Sequence, residues 1–566
     1  MRDMATATVL RPGPRRRGSR LPWLGAGPLL VFLTLLFAWP VFSLLGLSFG
    51  ETGFTLAHYV RIAEVPVYRR VLQNTFLISL GVTLLCVVLS YPVAYLLATV
   101  RPGLRKILLV VVLLPFWTSA LVRTTAWIVI LQKNGILNEL LTSIRLIDEP
   151  IAFVYNLSGV LIGMTHVLMP FVILPLYASF RNIDQSLIQA AEGLGASPLA
   201  IGRRIIVPLT APGVIAGATI VFMNALGYYI TPALMGGPGQ SMIAMLIADN
   251  INSDLNWGLA AALSVVLLVS TLVLFIVFQR VFGLEKLFSG SGSRGAATPF
   301  GPSRRRSGGG WLSATAGFAI LLFLIAPIII VFPMSLGTSP FLKFPPDSYS
   351  LRWFESFFSD PKWVRSIWNS LKAASVATPL SVVLGSAAAI GVSRIRPSFR
   401  PWLETVFILP MVMPVIILAV GLFYLLGPLG VLGSPFTLGL AQTVLCAPYV
   451  FITVRAALRG FDPSLELAAL NLGASWPTMF RRVMLPGIAP GILAGAVFAF
   501  IQSFDDVVLA LFLTNVRSRT LPRAMYEGMA HEIDPTIVAA SALIILFTIA
   551  VLTVNLVVSR RTSNAR

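Results

Sequence analysis

Two adjacent carboxylates, Asp505 and Asp506, directly follow a long apolar run that ends at Phe504. A carboxylate within or beside a membrane span is costly, and it usually faces a cavity or a partner group. Carboxylates that line a pathway would attract an ammonium group, and aromatic side chains could add cation–π contacts to the same solute. The aromatic residues that we assign to this predicted pathway are Trp117, Tyr228, Tyr229 and Phe504.

Arg123 gives the two carboxylates a second interpretation. It lies in another apolar run, and Leu418 occupies the equivalent position in the second half of the chain. Its guanidinium could neutralise one aspartate in a structural ion pair, although one arginine is not expected to neutralise both. The sequence leaves open whether Asp505 and Asp506 contact a solute or pair with Arg123, and we include Arg123 in the predicted pathway.

The other chemistry-bearing residues form no catalytic or metal-binding pattern. The two cysteines, Cys86 and Cys446, lie in apolar runs, and the three histidines (His58, His166 and His531) are scattered without ligand spacing. The sequence also contains no G-x-x-x-x-G-K-[ST] phosphate loop. We therefore predict no catalytic residue, no metal site and no ATP site in this chain.

The composition is that of a membrane protein. Of 566 residues, 56% are hydrophobic and only 11% are charged, whereas a soluble domain carries about 25% charged residues. The net charge of +20 is typical of basic cytoplasmic loops rather than of nucleic-acid binding, because no soluble module is left to carry such a function. We predict contact with the lipid bilayer and no nucleic-acid partner.

The apolar segments predict an all-α membrane protein with twelve transmembrane helices, each of about 20 residues or more. Six lie near 22–48, 72–99, 107–131, 156–180, 211–235 and 257–282, and six near 312–336, 366–393, 402–426, 437–457, 487–514 and 536–558. The predicted domains are a basic N-terminal tail (1–20), a first half (21–288), a flexible linker (289–310), a second half (311–560) and a short tail (561–566).

The basic residues predict the orientation, because Lys and Arg collect on the cytoplasmic side of membrane proteins. In this arrangement one side carries Arg15–Arg17, Arg203–Arg204, Arg304–Arg306, Arg481–Arg482 and Arg560–Arg561. Both termini and the linker are therefore predicted to be cytoplasmic. The loop between the last two spans breaks the rule, because on the predicted outer side it carries Arg517, Arg519 and Arg523.

The two halves are copies of one another. Asn74 matches Asn369 at an offset of 295 residues, and from Pro170 onward the offset is 278. Of the 33 positions that begin at Ala190, 16 are identical to their mates. Because each half has an even number of spans, both halves face the same way, and such a parallel repeat leaves a pathway at its interface.

The most similar stretch lies between the fourth and fifth spans of each half, on the predicted cytoplasmic side. The copies read AAEGLGASPLAIGRRIIVPLTAPG from Ala190 and AALNLGASWPTMFRRVMLPGIAPG from Ala468. Each begins a helix after an aspartate (Asp184 or Asp462), and Gly-Ala-Ser then makes a turn of little bulk that a partner can approach. An ordinary amphipathic connector is the alternative for one copy, but two copies at the same place favour docking. The predicted docking loops comprise Ala190, Ala191, Gly195, Ala196, Ser197, Ala468, Ala469, Gly473, Ala474 and Ser475.

These loops resemble the coupling loop, or EAA motif, of the permeases of binding-protein-dependent ABC importers of the type I fold. The family pattern is Glu-Ala-Ala, three residues, Gly, and a hydrophobic stretch that ends in Pro. Both copies keep the alanines, the glycine and the proline (Pro208 and Pro486), whereas Gln189 and Leu467 replace the glutamate. The departure leaves open which polar contact anchors the partner.

The resemblance implies two parallel six-helix repeats in the bacterial inner membrane that pass a small solute inward by alternating access. It implies two copies of an ABC ATPase, which bind ATP and Mg²⁺, and an extracytoplasmic solute-binding protein as partners. An ion- or proton-coupled secondary transporter is the alternative function, since such transporters also have six plus six spans, but they need no docking loops.

The cargo is suggested by three further stretches. LPFWTSALVRTTAWIVILQKNGILN from Leu114 and GYYITPALMGGPG from Gly227 resemble one permease for spermidine and putrescine, and SFDDVVLALFLT from Ser503 resembles its partner permease. The resemblance implies that the two permeases are fused here and that the cargo is a polyamine. Permeases for ferric iron, thiamine and aminophosphonates share this outline and stay open as alternatives.

Overall fold

The computed structural model describes residues 21–50, 53–282, 310–340, 344–531 and 534–564. The predicted N-terminal tail (1–20) and nearly all of the predicted linker (289–310) lie outside these residues. The described chain is helical, with one isolated β-bridge between Gly337 and Tyr349. The predicted all-α class is therefore confirmed.

The helices of the described first half are α1 (Leu21–Leu33), α2 (Trp39–Leu47), α3 (Ala57–Glu64), α4 (Pro66–Thr99), α5 (Pro102–Trp117), α6 (Ala120–Leu131), α7 (Ile136–Ser143), α8 (Leu157–Leu168), α9 (Pro170–Arg181), α10 (Gln185–Gly193), α11 (Pro198–Ile201), α12 (Val207–Leu226), α13 (Ile230–Met235), α14 (Ile243–Asn252) and α15 (Trp257–Phe282). Short π-helical segments, Thr34–Ala38 and Gly202–Ile206, continue α1 into α2 and α11 into α12.

The described second half repeats this order in α16 (Gly310–Ser335), α17 (Arg352–Ser359), α18 (Pro361–Arg394), α19 (Arg400–Val412), α20 (Val415–Leu426), α21 (Pro435–Arg459), α22 (Pro463–Asn471), α23 (Trp476–Met479), α24 (Leu485–Phe504), α25 (Val508–Leu513), α26 (Leu521–His531) and α27 (Thr536–Asn564). A π-helical segment, Phe480–Met484, joins α23 to α24. Helix α27 therefore extends into the predicted C-terminal tail (561–566).

Eight continuous helical stretches of the described chain are long and apolar enough to cross a membrane. Three further candidates are bent pairs, in which α5 and α6–α7 meet at 100°, α8 and α9 at 47°, and α19 and α20 at 90°. The apolar part of α27, Thr536–Val551, is shorter. Each of the twelve predicted spans thus corresponds to helical structure, but three of them are bent helix pairs.

The breaks have local causes. Pro414 drives the preceding Met413 out of the helical conformation, to ψ 137°, between α19 and α20. Pro170 begins α9 and cannot donate a backbone hydrogen bond to α8. Between α5 and α6, Thr118 and Ser119 are extended, with ψ values of 139° and 135°.

Two predicted spans end earlier than expected. The segments predicted at 211–235 and 487–514 leave the helical path after Leu226 and Phe504, and short separate helices, α13 and α25, follow. The prediction was wrong there because both sides of each break are apolar and buried, so hydropathy alone does not reveal the break.

The first helix of each half packs against the other half. Helix α1 lies along α18, and α16 lies along α4. At Gly25 the approach is so close that a Cβ atom would lie 2.7 Å from the Ala387 carbonyl oxygen. Across the other contact, a Cβ atom at Gly317 of α16 would lie 3.1 Å from the Pro92 carbonyl oxygen of α4. Each half thus has its own three-helix core, α4, α9 and α12 in the first half and α18, α21 and α24 in the second. The first helix of each half packs against the core of the other half.

Candidate functional site

Each predicted docking loop contains a nine-residue helix, α10 or α22, that begins at a capping aspartate. The Asp184 carboxylate accepts from the Ser186 N–H at 3.0 Å, and the Asp462 carboxylate accepts from the Ser464 N–H at 2.9 Å. The backbone and side chain of Ser464 lower the pKa of Asp462 below its usual value. This cap is therefore ionised at neutral pH, at the helix end where a negative charge is favourable.

Each helix then ends in a glycine turn. Gly195 and Gly473 have φ values of +79° and +84°, a conformation that side-chain-bearing residues rarely adopt. The N–H of the following alanine reaches back to the Ala191 carbonyl at 3.0 Å or the Ala469 carbonyl at 3.1 Å, which closes a Schellman motif. Because no atom lies within 4 Å of a Cβ built at either glycine, backbone conformation rather than space requires glycine there.

Each turn presents one leucine to solvent. Leu194 and Leu472, immediately before the glycines, are 89% and 88% exposed. Large apolar side chains exposed at the same place in both copies are typical of an interaction surface. The sequence analysis missed these two residues, although the signal was present, because leucine occupies the position in both aligned copies.

The two loops are attached to their own halves by different chemistry. In the first, Ile188 of α10 is buried in a cluster that includes Ala94 and Ala98 near the end of α4. In the second, its mate Glu466 forms an ion pair of 2.8 Å with Arg394 at the end of α18. Both loops therefore sit at the ends of equivalent helices, and the glutamate nearest the missing family position is used within the chain.

The halves meet at two contacts related by the repeat. Asp505, at the end of α24, accepts through Oδ2 from the N–H of Ala120, the first residue of α6, at 3.3 Å. Gly227, at the end of α12, lies against Pro414, where a Cβ would be only 2.5 Å from the proline Cβ. Gly227 is the repeat mate of Asp505, and Pro414 is the mate of Ser119. A polar and an apolar contact thus join the halves at matching positions.

A small cavity of about 20 Å³ lies beside the Asp505 contact, lined among others by Trp117, Ser119, Phe504 and Asp505. Asp505 Oδ1 and Ser119 Oγ are both buried and form no hydrogen bond of standard geometry with a described residue, although the Ser119 hydroxyl lies beside the Asp505 carboxylate. The space suffices for about one water molecule. A larger solute does not fit there in this conformation.

Arg123 lies one turn into α6, buried near the same contact. Its Nε donates to the Ser119 carbonyl at 3.4 Å, and Tyr228 and Asp505 lie within its electrostatic range. Among the ion pairs of the described residues there is none between Arg123 and Asp505. The arginine therefore acts on the carboxylate at a distance instead of forming the direct ion pair that the sequence left open.

Asp506 has a different environment, inside the second half. Gln442 Nε2 donates to its Oδ2 at 3.1 Å, Ser503 Oγ donates to the same glutamine at 2.6 Å, and the Leu509 N–H lies 3.4 Å from its Oδ1. Asp506 does not line the cavity beside Asp505.

The structure brings only part of the predicted pathway together. Trp117, Phe504 and Asp505 share one cavity, and Arg123 and Tyr228 lie near it. Tyr229 is elsewhere at the interface, where its hydroxyl lies 3.0 Å from that of Tyr526.

The known proteins that resemble this chain agree with its duplicated architecture. Residues 90–284 and 381–564, more than half of the chain, match the family described as binding-protein-dependent transport system inner membrane component. The chain belongs to this family. The predicted fusion of two permeases is confirmed, because one match lies in each half and a single-chain relative aligns over nearly the whole length. That relative is the probable ABC transporter permease protein y4fN of Sinorhizobium fredii, 26% identical over 550 residues, which covers 94% of this chain and 95% of y4fN.

Other relatives of the permease match one half-length segment. The spermidine/putrescine transport system permease protein PotB of Escherichia coli is 38% identical over 233 residues, which is 41% of this chain and 84% of PotB. The corresponding PotC of Haemophilus influenzae is 27% identical over 248 residues, which is 44% of this chain and 96% of PotC. Among solved structures, a bacterial alginate ABC transporter in complex with an alginate-bound periplasmic protein is 18% identical, with a TM-score of 0.39, and covers 47% of this chain and 94% of its own. The family match, the full-length relative and the apolar helices make the permease a multi-pass inner-membrane component of an ABC importer.

Proposed function

We propose that the permease carries a polyamine from an extracytoplasmic binding protein to the cytoplasm by alternating access. The observation that carries this proposal is the half-buried Asp505 carboxylate beside Trp117 and Phe504, at the contact between the halves. The half-length relatives named as spermidine/putrescine permeases support the same cargo.

The chemistry of this position suits an ammonium group. One oxygen of Asp505 is held by the Ala120 N–H, and the other is buried beside the Ser119 hydroxyl without a hydrogen bond of standard geometry to a described residue. When the halves separate, a cargo ammonium replaces the backbone N–H as the partner of the carboxylate, and the aromatic rings add cation–π attraction. Arg123 forms no ion pair with Asp505 within the described residues, so the carboxylate stays available to a cationic solute.

The movement would be driven from the two docking loops. We infer that two copies of an ABC ATPase, which bind ATP and Mg²⁺, hold α10 and α22 through the exposed Leu194 and Leu472. The Arg203–Arg204 and Arg481–Arg482 pairs just beyond the loops favour the cytoplasmic side. Both termini then lie in the cytoplasm. Because the loops are attached to the ends of α4 and α18, closure of the ATPases would move the two cores relative to one another.

The test is uptake of radiolabelled spermidine and putrescine by cells that express the permease with its cognate ATPase and binding protein, in a host without other polyamine uptake. We expect ATP-dependent uptake that Asp505→Asn abolishes or strongly reduces. Labelled thiamine and ferric citrate serve as competing cargoes in parallel. Uptake of either without polyamine uptake would overturn the cargo assignment, and unchanged polyamine uptake by Asp505→Asn would remove the carboxylate from the pathway.

A further inference from the structure

The three arginines of the loop between the last two spans, Arg517, Arg519 and Arg523, lie on the predicted outer side and do not share one role. Arg519 and Arg523 both pair with Glu527, at 2.8 and 2.7 Å, and Arg523 also donates to the Thr514 carbonyl at 2.6 Å. These two arginines therefore brace their own loop. Arg517 is exposed and forms no ion pair with any carboxylate in the described parts of the chain.

Arg517 lines an open cleft of about 490 Å³ together with Lys372. No acidic side chain lines this cleft, and Lys372 also lacks an ion pair within the described chain. The N-terminus of α21 forms another wall of the cleft, through its capping residue Ser434 and its first two residues, Pro435 and Phe436. Two unneutralised cations and a helix N-terminus thus converge on one space, which is a favourable arrangement for an anion.

The cleft lies at a membrane boundary. Arg394 lies 22 positions after Lys372 on α18, which is about 33 Å at 1.5 Å per residue and matches a hydrocarbon core of about 30 Å. Arg394 marks the boundary on the docking-loop side, where it pairs with Glu466. Lys372 therefore lies at the level of the lipid headgroups on the opposite, outer side. Trp368, one turn further out, is 60% exposed, as expected for an interfacial aromatic residue.

The repeat shows that this face of α18 meets lipid. Val383 is 64% exposed, and its mate Val88 on α4 is 65% exposed. The mates of Lys372 and Ser375 are Leu77 and Leu80, which are exposed leucines on the same face of α4. The first half is thus apolar at the positions where the second half is cationic or polar.

The loop that carries Arg517 also has an equivalent in the first half, the loop that carries Gly239. Asn74 Nδ2 donates to the Gly239 carbonyl at 2.7 Å, and its mate Asn369 donates to the Arg517 carbonyl at 3.0 Å. The same asparagine therefore fixes the same loop in both halves, and Arg517 occupies the place of Gly239. The backbone arrangement is therefore equivalent in the two halves at this place, but the second half has the cations Lys372 and Arg517 where the first half has Leu77 and Gly239.

We propose that the cleft between Lys372 and Arg517 binds the phosphate of an anionic phospholipid from the outer leaflet. The lipid-facing side of α18 brings the acyl chains against apolar side chains, while the headgroup phosphate lies between the two cations and the N-terminus of α21. A net negative headgroup is preferred because the cleft offers two positive charges and no carboxylate. A soluble phosphate has the same anionic chemistry but lacks the acyl chains that the exposed apolar face would hold.

The experiment compares the full chain with Lys372→Leu/Arg517→Gly, which reproduces the first half. Purified proteins in mild detergent are titrated with phosphatidylglycerol, and bound lipids are counted by native mass spectrometry. We expect the variant to bind one lipid fewer, or to need about ten-fold more lipid for the same occupancy. Lys362→Leu/Arg365→Leu removes the same charge from the outer end of α18 outside the cleft, and we expect it to bind like the wild type. Phosphatidylcholine, which has no net charge, should not show the difference.

Equal phosphatidylglycerol binding by wild type and cleft variant would overturn the proposal. Inorganic phosphate that binds the wild type and not the cleft variant, with no difference in lipid binding, would overturn the lipid as the source of the phosphate. Both replaced side chains are exposed, so we expect the variant to fold; thermal unfolding checks this, and the single variants replace the double one if it does not. The reverse variant, Leu77→Lys/Gly239→Arg, should gain a lipid.

Discussion

Asp505 of the second half accepts a hydrogen bond from the backbone N–H of Ala120 of the first half, at 3.3 Å. The contact lies between the ends of two cores that must separate if a solute is to pass. Its repeat-related counterpart, Gly227 against Pro414, has no polar side chain. Only one of the two matched contacts therefore carries a charge that can change its partner from backbone to solute.

Asp505→Asn tests the importance of that charge. The amide keeps an oxygen that accepts from Ala120, so the contact in the folded protein is retained. It loses the negative charge that would bind the cargo ammonium, and hydrogen bonds to charged groups contribute about 1.5–3 kcal/mol. We expect polyamine uptake to fall about ten-fold or more, which corresponds to at least about 1.4 kcal/mol, with little change in melting temperature. Uptake rates and thermal unfolding of the same preparations provide the measurement. Uptake within two-fold of the wild type, at equal expression, would contradict the prediction.

Asp506→Ala should act on stability. Truncation leaves the buried Gln442 amide and the Leu509 N–H without their acceptor, and each unsatisfied buried group costs about 1–3 kcal/mol. We expect a clear fall in melting temperature of the detergent-solubilised protein. Asp505→Asn, one residue away, is the matched comparison because it should not show that fall. Equal melting temperatures for the two variants would show that the Gln442 network contributes nothing.

The sequence predicted the features that depend on local pattern. Apolar length located the spans, and the aspartate, the alanines and the glycine at equal spacing predicted the two capped helices and glycine turns of the predicted docking loops. The positive φ of Gly195 and Gly473 gives the physical reason for that spacing, because the Schellman turn requires glycine at this point.

The features that depend on distant contacts were not predictable in this way. Helix α1 packs on α18, and α16 packs on α4. These segments are far apart in sequence, and nothing in their composition indicates that they contact each other. Asp505 and Asp506 were assigned together because they are adjacent. Helix α24 ends immediately before these two residues. As a result, Asp505 accepts a hydrogen bond from Ala120, whereas Asp506 accepts one from Gln442.

Gly227→Ala tests the second contact between the halves. Gly227 has a φ of −96°, so alanine causes no backbone strain, but its Cβ would lie 2.5 Å from the Cβ of Pro414. Overpacking of this kind costs about 1–3 kcal/mol, and we expect a lower melting temperature and reduced uptake. Gly46→Ala is the control, because no atom lies within 4 Å of its Cβ position. The same melting temperature for both variants would mean that the Gly227 contact does not constrain the halves.

Leu194→Asp and Leu472→Asp test the docking surface. Both side chains are almost fully exposed, so a charge there should leave the fold intact while it disfavours an apolar partner pocket. We expect the double variant to lose the co-purifying ATPase and ATP-driven uptake while its melting temperature stays unchanged. Leu429→Asp, at an exposed leucine in the loop between α20 and α21, should retain both. Full ATPase recovery with the double variant would exclude these leucines from the interface.

The Arg394–Glu466 ion pair predicts that the two docking loops differ in how they transmit movement. Glu466→Gln removes the charge that attaches α22 to α18, whereas α10 is held by buried Ile188. The pair is part-exposed, so its contribution to stability is at most about 1 kcal/mol, and the melting temperature should change little. We expect the solute transported per ATP hydrolysed to fall, because the loop moves without its core. Glu466→Ile/Arg394→Thr reproduces the first half, where Ile188 and Thr99 stand, and should restore part of that ratio. Unchanged transport per ATP in Glu466→Gln would show that the attachment of the second loop does not depend on this pair.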